Sequence, residues 1–224
     1  GARQLLVSRG VPAAKAHHVY NWIADDAHIE PLPIPERRPD QPLHLMYAGS
    51  VGLAQNLDNV LDALALLPAG TARLTLLGDG PAVSSLRRRA QELNLDNVTF
   101  AGRVARADVP ALQATAHFHL ISLADQELFR ITIPSKLQAL AAHGAPILCT
   151  APGEVADIVA SNRMGLTAAP GDAAALAQVI VEAARLRDDD LRDMGTNGRE
   201  PEPLNLPRRE PSGKASTPGQ RGRL

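Results

Sequence analysis

Short apolar runs alternate with amphipathic segments along most of this chain, from residue 43 to residue 187. The runs predict strands at 43–48, 72–77, 98–101, 118–123, 146–150 and 165–168. Between them, apolar side chains recur at spacings of three and four residues, which predicts helices with one buried face. The best-marked face is formed by Leu57, Val60, Leu61, Leu64 and Leu67. This alternation predicts an α/β fold, a doubly wound parallel sheet of the Rossmann-like type.

A sheet of this kind binds ligands beyond the carboxyl ends of its strands, where the strand order reverses. We therefore expect the loops after Ala48, Leu77, Ala101 and Leu123 to share one crevice. The later helices are predicted at 108–116, 153–161 and 172–187, with Asp188, Asp189 and Asp190 starting another as solvated first-turn residues.

The segment Pro134-Ser135-Lys136 predicts the start of a helix that ends near Gly144. Proline suits the first helical position, because its missing N–H would have no partner there. Free amides and the positive end of the helix dipole make such a terminus an anion site, which a hydroxyl and an ammonium strengthen. Lysine is also rare here, at positions 15, 136 and 214 among 23 basic residues. We predict that Ser135 and Lys136 contact a phosphate or diphosphate.

Glycines mark three predicted strand ends. Gly49-Ser50-Val51-Gly52 either lets a phosphate approach the backbone or is a plain strand-to-helix turn. It is neither a dinucleotide fingerprint nor a P-loop. The glycines of 78–81 are interpreted as turn geometry at the border of the crevice. Arg103, just after Gly102, either faces a nucleotide or sugar or is a surface residue at a strand end.

Other candidate chemistry is weaker. His117 and His119 share one strand face and could bind a metal, but no third ligand is evident, so a structural role is favoured and no metal site is predicted. Asp125 and Glu127 follow the fourth strand and could meet sugar hydroxyls. No Ser/His/Asp triad or spaced carboxylate pair is found. The single Cys149 lies in an apolar run, which indicates a core thiol in a reducing compartment.

Composition limits the function class. With 224 residues, a net charge of −1 and 3% aromatic residues, the chain has neither the basic surface nor the stacking side chains that indicate nucleic-acid binding. No apolar run approaches the roughly 20 residues that span a bilayer. Residues 23–42 are rich in proline and charge and are interpreted as a linker. Residues 200–224 are dense in Pro, Arg, Gly and Ser and are predicted to be a disordered tail.

An ordered set of motifs resembles the C-terminal half of a GT-B glycosyltransferase, within the group 1 (family 4) retaining enzymes. Bacterial O-antigen and capsule transferases, fucosamine transferase-like proteins among them, are similar. The resemblance covers about residues 3–199. The motifs are Asn21-Trp22, 47–57, Gly78-Asp79-Gly80, Phe100-Ala101-Gly102-Arg103-Val104 and Ile133-Pro134-Ser135-Lys136.

The resemblance implies that residues 43–199 bind a nucleotide-sugar donor, expected to be UDP-linked, without a metal or other cofactor. It implies donor-diphosphate contacts from Gly49, Ser50, Gly52, Ser135 and Lys136, and nucleotide contacts from Arg103, Val104 and Gln138. Three positions depart from the family pattern. Gln138 stands where many relatives place the second Glu of an E-x7-E motif, and Arg130 stands where they place the first. Gln55 lies near a Lys that other relatives use on the phosphates.

The resemblance also implies that residues 1–22 are a remnant of an N-terminal acceptor domain. The expected function is sugar transfer to a glycan or lipid-linked acceptor in surface polysaccharide synthesis. The expected location is cytoplasmic, with peripheral association at the inner face of the membrane. Because that acceptor domain is lacking in this interpretation, we expect the chain alone to catalyse little. Two alternatives stay open at this point: a non-catalytic nucleotide-binding fragment, and a sugar-nucleotide epimerase-like domain.

Overall fold

The computed structural model describes residues 2–16, 29–38 and 41–200. Its centre is a six-stranded sheet in the order β3-β2-β1-β4-β5-β6, and every neighbouring pair is parallel. The strands are β1 (Leu43–Ala48), β2 (Ala72–Leu77), β3 (Val98–Gly102), β4 (Phe118–Ser122), β5 (Ile147–Thr150) and β6 (Gly165–Thr167). The strand order reverses between β1 and β4, so this is where the doubly wound topology places a crevice.

Helices connect the strands. They are α1 (Ala2–Ser8), α2 (Leu57–Ala65), α3 (Val83–Glu92), α4 (Val109–Gln113), α5 (Glu127–Arg130), α6 (Ser135–Ala142), α7 (Glu154–Ser161), α8 (Ala173–Ala183) and α9 (Asp188–Arg199). Short 3₁₀ turns cover Ala13–Lys15, Leu53–Gln55 and Arg106–Asp108.

Two apolar cores lie on opposite faces of the sheet. On one face, α2, α3 and α8 pack their buried leucines and Ile180 against side chains of β1, β2 and β4. On the other, α6 and α7 pack Leu137 and Val155 against Ile121 and Ile147. Burying both faces explains why the strands are short and mostly apolar, since a parallel strand has no solvent-facing side. The predicted doubly wound α/β fold is confirmed.

Several predicted boundaries were wrong by a few residues. Pro134 is the residue before α6 rather than its first helical residue, because its ψ of 141° is extended. The helix predicted at 108–116 is shorter, and the segment predicted at 172–187 stops being helical at Ala183. The predicted helix start at Asp188 is confirmed.

The described part of the predicted linker, residues 29–38 and 41–42, contains no regular element. It nevertheless packs against the domain: Leu32 is 8% exposed, and its N–H donates to the carbonyl of His143 over 2.8 Å. The Asn21-Trp22 motif and residues 201–224 of the predicted tail lie outside the described residues. The proposed division into domains stays a prediction.

Candidate functional site

A cavity of about 650 Å³ opens at the carboxyl edge of the sheet, beside the reversal of strand order. The loops after β1, β2 and β3 line it together with α4 and α6. Its lining residues are Ala48, Gly49, Ser50, Leu77, Gly78, Asp79, Arg103, Val104, Val109, Gln113, Ser135, Lys136, Gln138, Ala139, Leu140 and His143.

Most of the residues predicted for the site therefore lie around one cavity. The loops after β1, β2 and β3 meet there as expected, together with the first turn of α6. The fourth expected loop, after β4, contributes no residue to the described lining, and neither does Gly52. Asp125 in that fourth loop instead pairs with Arg130 over 2.6 Å, outside the lining.

The two glycine-containing loops are stacked on each other. The N–H of Gly49 donates to the Leu77 carbonyl over 2.8 Å, and the N–H of Val51 donates to the Asp79 carbonyl over 3.0 Å. A Cβ atom added to Gly78 would overlap the carbonyl oxygen of Gly49. The geometric role predicted for this second glycine turn is confirmed, since no larger residue allows the two loops to approach so closely.

This stacking determines which backbone amides can face a ligand. The N–H groups of Gly49 and Val51 donate hydrogen bonds to the end of β2 and its loop. The N–H of Gly52 donates to Oε1 of Gln55 over 2.9 Å. Among the hydrogen bonds of the described residues, none uses the N–H of Ser50. Gly49 and Gly52 therefore shape the loop, whereas Ser50 lines the cavity with an available donor.

The start of α6 supplies a second group of donors. Pro134 precedes the helix without a side-chain cap, so the first-turn amides of Ser135 and Lys136 are not satisfied by a capping oxygen. Ser135 is exposed at the cavity wall. A helix N-terminus in this state favours an anion through both its N–H groups and its dipole.

The Lys136 side chain is half-buried and turns toward β1. Its Nζ lies 3.4 Å from the centroid of the Tyr47 ring, where the ring electrons attract a cation. The Tyr47 hydroxyl donates to the carbonyl of Ser50 over 2.6 Å. Burial lowers the pKa of the Lys136 ammonium to about 7 and raises the pKa of Tyr47 to about 12. The sequence analysis gave this tyrosine no role in the site, because it lies inside an apolar strand.

The residues predicted for the nucleotide also form part of the cavity wall. Arg103 and Val104 follow β3, and Gln138 lies on α6, where it is 7% exposed. Val109, Gln113 and His143 complete this wall and had no distinguishing sequence pattern. The wall combines apolar surface with one guanidinium and two side-chain amides, which is chemistry that suits a nucleoside.

The histidine pair does not form a metal site with its described neighbours. In the part of the chain that the structure describes, no three His, Cys, Asp or Glu side chains group as metal ligands. Nδ1 of His117 accepts the backbone N–H of His44 over 2.8 Å, and the N–H of His117 donates to the His44 carbonyl over 2.9 Å. His117 therefore connects β1 to the start of β4, the structural role favoured by the sequence.

Comparisons with known proteins agree with this architecture. The family model described as "Glycosyl transferases group 1" matches residues 42–185. "Probable glycosyltransferase WbjE" of Pseudomonas aeruginosa is 29% identical over 151 residues, which are 66% of this chain and 37% of WbjE. The chain thus spans little more than a third of that relative.

Solved structures share the fold. The crystal structure of Anabaena HepE in complex with UDP-glucose superposes with a TM-score of 0.69 at 18% identity, covering 89% of this chain and 56% of HepE. WaaG, a glycosyltransferase involved in lipopolysaccharide biosynthesis, superposes with a TM-score of 0.58 at 27% identity, covering 72% of this chain and 42% of WaaG. Among the described helices, none is long and apolar enough to cross a bilayer.

Proposed function

Because the chain belongs to the group 1 glycosyltransferases, we propose that its cavity binds the diphosphate of a nucleotide-sugar donor. The observation that supports this most directly is that three groups able to donate hydrogen bonds to a phosphate line one cavity. These are the Lys136 ammonium, the uncapped amides at the start of α6, and the Ser50 amide.

The proposed role of these donors follows from the charge that sugar transfer creates. The bond between the anomeric carbon and the diphosphate breaks, and its electron pair stays on the phosphate oxygen. The anomeric carbon forms a new bond to an acceptor hydroxyl, which loses its proton. Donors that are fixed before the reaction stabilise the growing phosphate charge without reorganisation. Removing one such donor from an enzyme site typically costs about 2.7–4 kcal/mol of transition-state stabilisation.

We assign the nucleoside to the wall that contains Arg103, Val104 and Gln138. A UDP-linked donor is the first to test, because HepE, which has the same fold, was crystallised with UDP-glucose. The neutral Gln138 can hydrogen-bond ribose hydroxyls but lacks a carboxylate's charge, so we expect weaker ribose binding than a Glu would give. Positive charge comes from side chains and the helix dipole, so the proposal includes no metal ion or other cofactor.

The proposal assigns this domain the donor half of the reaction. The acceptor is a glycan or lipid-linked hydroxyl in surface polysaccharide synthesis, brought by a second domain at the inner face of the membrane.

Titration calorimetry with UDP, UDP-glucose, GDP and GDP-mannose tests the donor site. A charged hydrogen bond contributes about 1.5–3 kcal/mol, so Lys136→Met is expected to weaken binding about 10- to 100-fold. Lys15→Met is the matched control, since Lys15 is exposed in the 3₁₀ turn Ala13–Lys15 and should leave the affinity unchanged. Binding that is insensitive to Lys136→Met would contradict the site. No binding of any nucleotide would favour a non-catalytic module.

A further inference from the structure

We propose that the ring of Tyr47 is a platform that holds the Lys136 ammonium where the donor diphosphate binds. The proposal rests on the donor site proposed above. Tyr47 is in this view a positioning residue, which acts on the diphosphate through Lys136 without contacting it.

The contacts of Lys136 support an aromatic platform. Nζ lies 3.4 Å from the ring centroid, within the range of a strong cation–π contact. In the described part of the chain, no carboxylate forms an ion pair with this ammonium. A carboxylate would neutralise Lys136 and compete with a phosphate for it, whereas a ring holds the cation and leaves its charge available.

The platform itself is rigid. Tyr47 is 2% exposed and lies opposite Leu76 in the parallel ladder of β1 and β2. Its hydroxyl donates to the Ser50 carbonyl over 2.6 Å, so the ring also fixes the residue whose amide lines the cavity. Because burial raises the pKa of Tyr47 to about 12, the hydroxyl keeps the proton that it donates.

Gly49 leaves the space that the ammonium occupies. A Cβ atom at this position would lie 3.3 Å from Nζ and 3.7 Å from the Tyr47 hydroxyl oxygen. The backbone φ of 142° at Gly49 also disfavours any larger residue. The missing side chain of Gly49 thus leaves room for Lys136 beside the Tyr47 ring. The contact joins the end of β1 to the start of α6, which are far apart in the sequence.

Other charged or titratable groups line the same cavity as Lys136 or interact with it. Asp79 and Arg103 line the cavity, as does His143 at the end of α6, and buried His119 on β4 interacts with Lys136 electrostatically. Burial lowers the pKa of Lys136 to about 7, so near neutrality the ring's attraction for the charged form affects how much ammonium is present. An arriving diphosphate favours the same charged form.

Fluorination of the ring tests the platform, because fluorine withdraws electrons from the face with little change of shape. Tyr47→Phe is the reference, and pentafluorophenylalanine at position 47 is the probe. The pKa of Lys136 is read in the ligand-free protein from its ¹³Cε NMR signal. The chain has lysines only at 15, 136 and 214, so Lys136→Met assigns the signal. The pKa should fall by about 0.5–1 from reference to probe. An unchanged pKa overturns the platform.

Phe100 offers a matched control, because its ring lies 4.7 Å from the Arg87 guanidinium carbon and is not among the residues lining the cavity. Pentafluorophenylalanine at position 100 should leave the pKa of Lys136 unchanged. An equal fall in that pKa would mean that fluorination acts through general destabilisation, which also overturns the platform.

UDP-glucose affinity completes the test, since both ends of its diphosphate are esterified and it does not titrate near pH 7. From reference to probe at position 47, binding should weaken about 3- to 10-fold at pH 7. Unchanged affinity overturns the platform's part in donor binding. If the wild-type chain binds no nucleotide while the pKa still falls with fluorination, the donor proposal fails and the ring–ammonium contact stands.

Discussion

Three buried histidines are expected to make this domain sensitive to mild acid. His44, His117 and His119 are 2%, 5% and 3% exposed. His44 lies on β1, His119 lies on the adjacent β4, and His117 directly precedes β4. Desolvation, together with repulsion from His44, lowers the pKa values of His117 and His119 to about 4, and desolvation also lowers the pKa of His44. All three are therefore neutral in the native state near pH 7.

The hydrogen bonds show why protonation is unfavourable. Nδ1 of His117 accepts the N–H of His44, so a proton on that nitrogen would face another donor. The His44 ring lies between two partners, with Nδ1 2.7 Å from the Thr115 carbonyl and Nε2 2.9 Å from Oγ1 of Thr75. A neutral His44 ring that donates from Nδ1 and accepts at Nε2 satisfies both partners. A protonated ring would also donate from Nε2, so the Thr75 hydroxyl would have to turn its own hydrogen away.

The size of the effect follows from linkage. The unfolded chain binds protons as pH falls below 6.5, while native His117 and His119 stay neutral until pH about 4. Stability is thus complete above pH 6.5 and decreases between 6.5 and 4. Between pH 7 and pH 5 each of these two histidines contributes a loss of about 2 kcal/mol, or about 3–4 kcal/mol together. This is a large part of the roughly 5–15 kcal/mol that stabilises a typical domain.

Urea denaturation followed by circular dichroism at pH 7, 6, 5.5 and 5 measures the loss. His119→Leu and His119→Gln both remove one titrating ring but differ in polarity and packing. Each should reduce the difference in unfolding free energy between pH 7 and pH 5 by about 2 kcal/mol, whatever its effect at pH 7. A wild-type free energy that is constant over this range would refute the reasoning. So would variants with the wild-type pH dependence.

Three further predictions concern packing. Gly78→Ala, whose Cβ would overlap the Gly49 carbonyl, should lower the free energy of unfolding by about 1–3 kcal/mol and weaken UDP-glucose binding, as measured by urea denaturation and calorimetry. Gly195→Ala, whose Cβ would overlap the Gly144 carbonyl where α9 meets α6, should cost a similar amount of stability. Cys149 is fully buried with its pKa raised to about 12, so iodoacetamide should modify it only in denaturant, as mass spectrometry can determine.

The order of elements could be predicted because a buried parallel strand leaves a local pattern, a short apolar run beside an amphipathic segment. Boundaries were less predictable, because they depend on single backbone angles. Proline fixes φ, and the φ of −69° at Pro134 suits both the first helical residue and the residue before it. Only ψ distinguishes the two, and it depends on the path of the chain between α5 and α6.

The position of Lys136 in the cavity lining could be predicted from sequence, because its setting is local, within the first turn of one helix. Tyr47 could not, because an aromatic residue inside an apolar run is normally core. The two meet only because β1 and β4 are neighbours at the reversal of strand order. The loop after β4 was expected in the cavity for the same topological reason. Its Ala124 N–H donates instead to the Ala54 carbonyl over 2.9 Å, which ties it to the β1 loop.

The distribution of backbone amides gives the two candidate anion-binding segments different tasks. The loop at 49–52 has glycines and follows a strand, yet three of its four amides are donated within the protein. The start of α6 has no glycine, yet its first amides are uncapped and Lys136 lies beside them. Negative charge on a bound diphosphate should therefore be stabilised mainly by α6, while the loop sets the shape of the cavity and positions the single amide of Ser50.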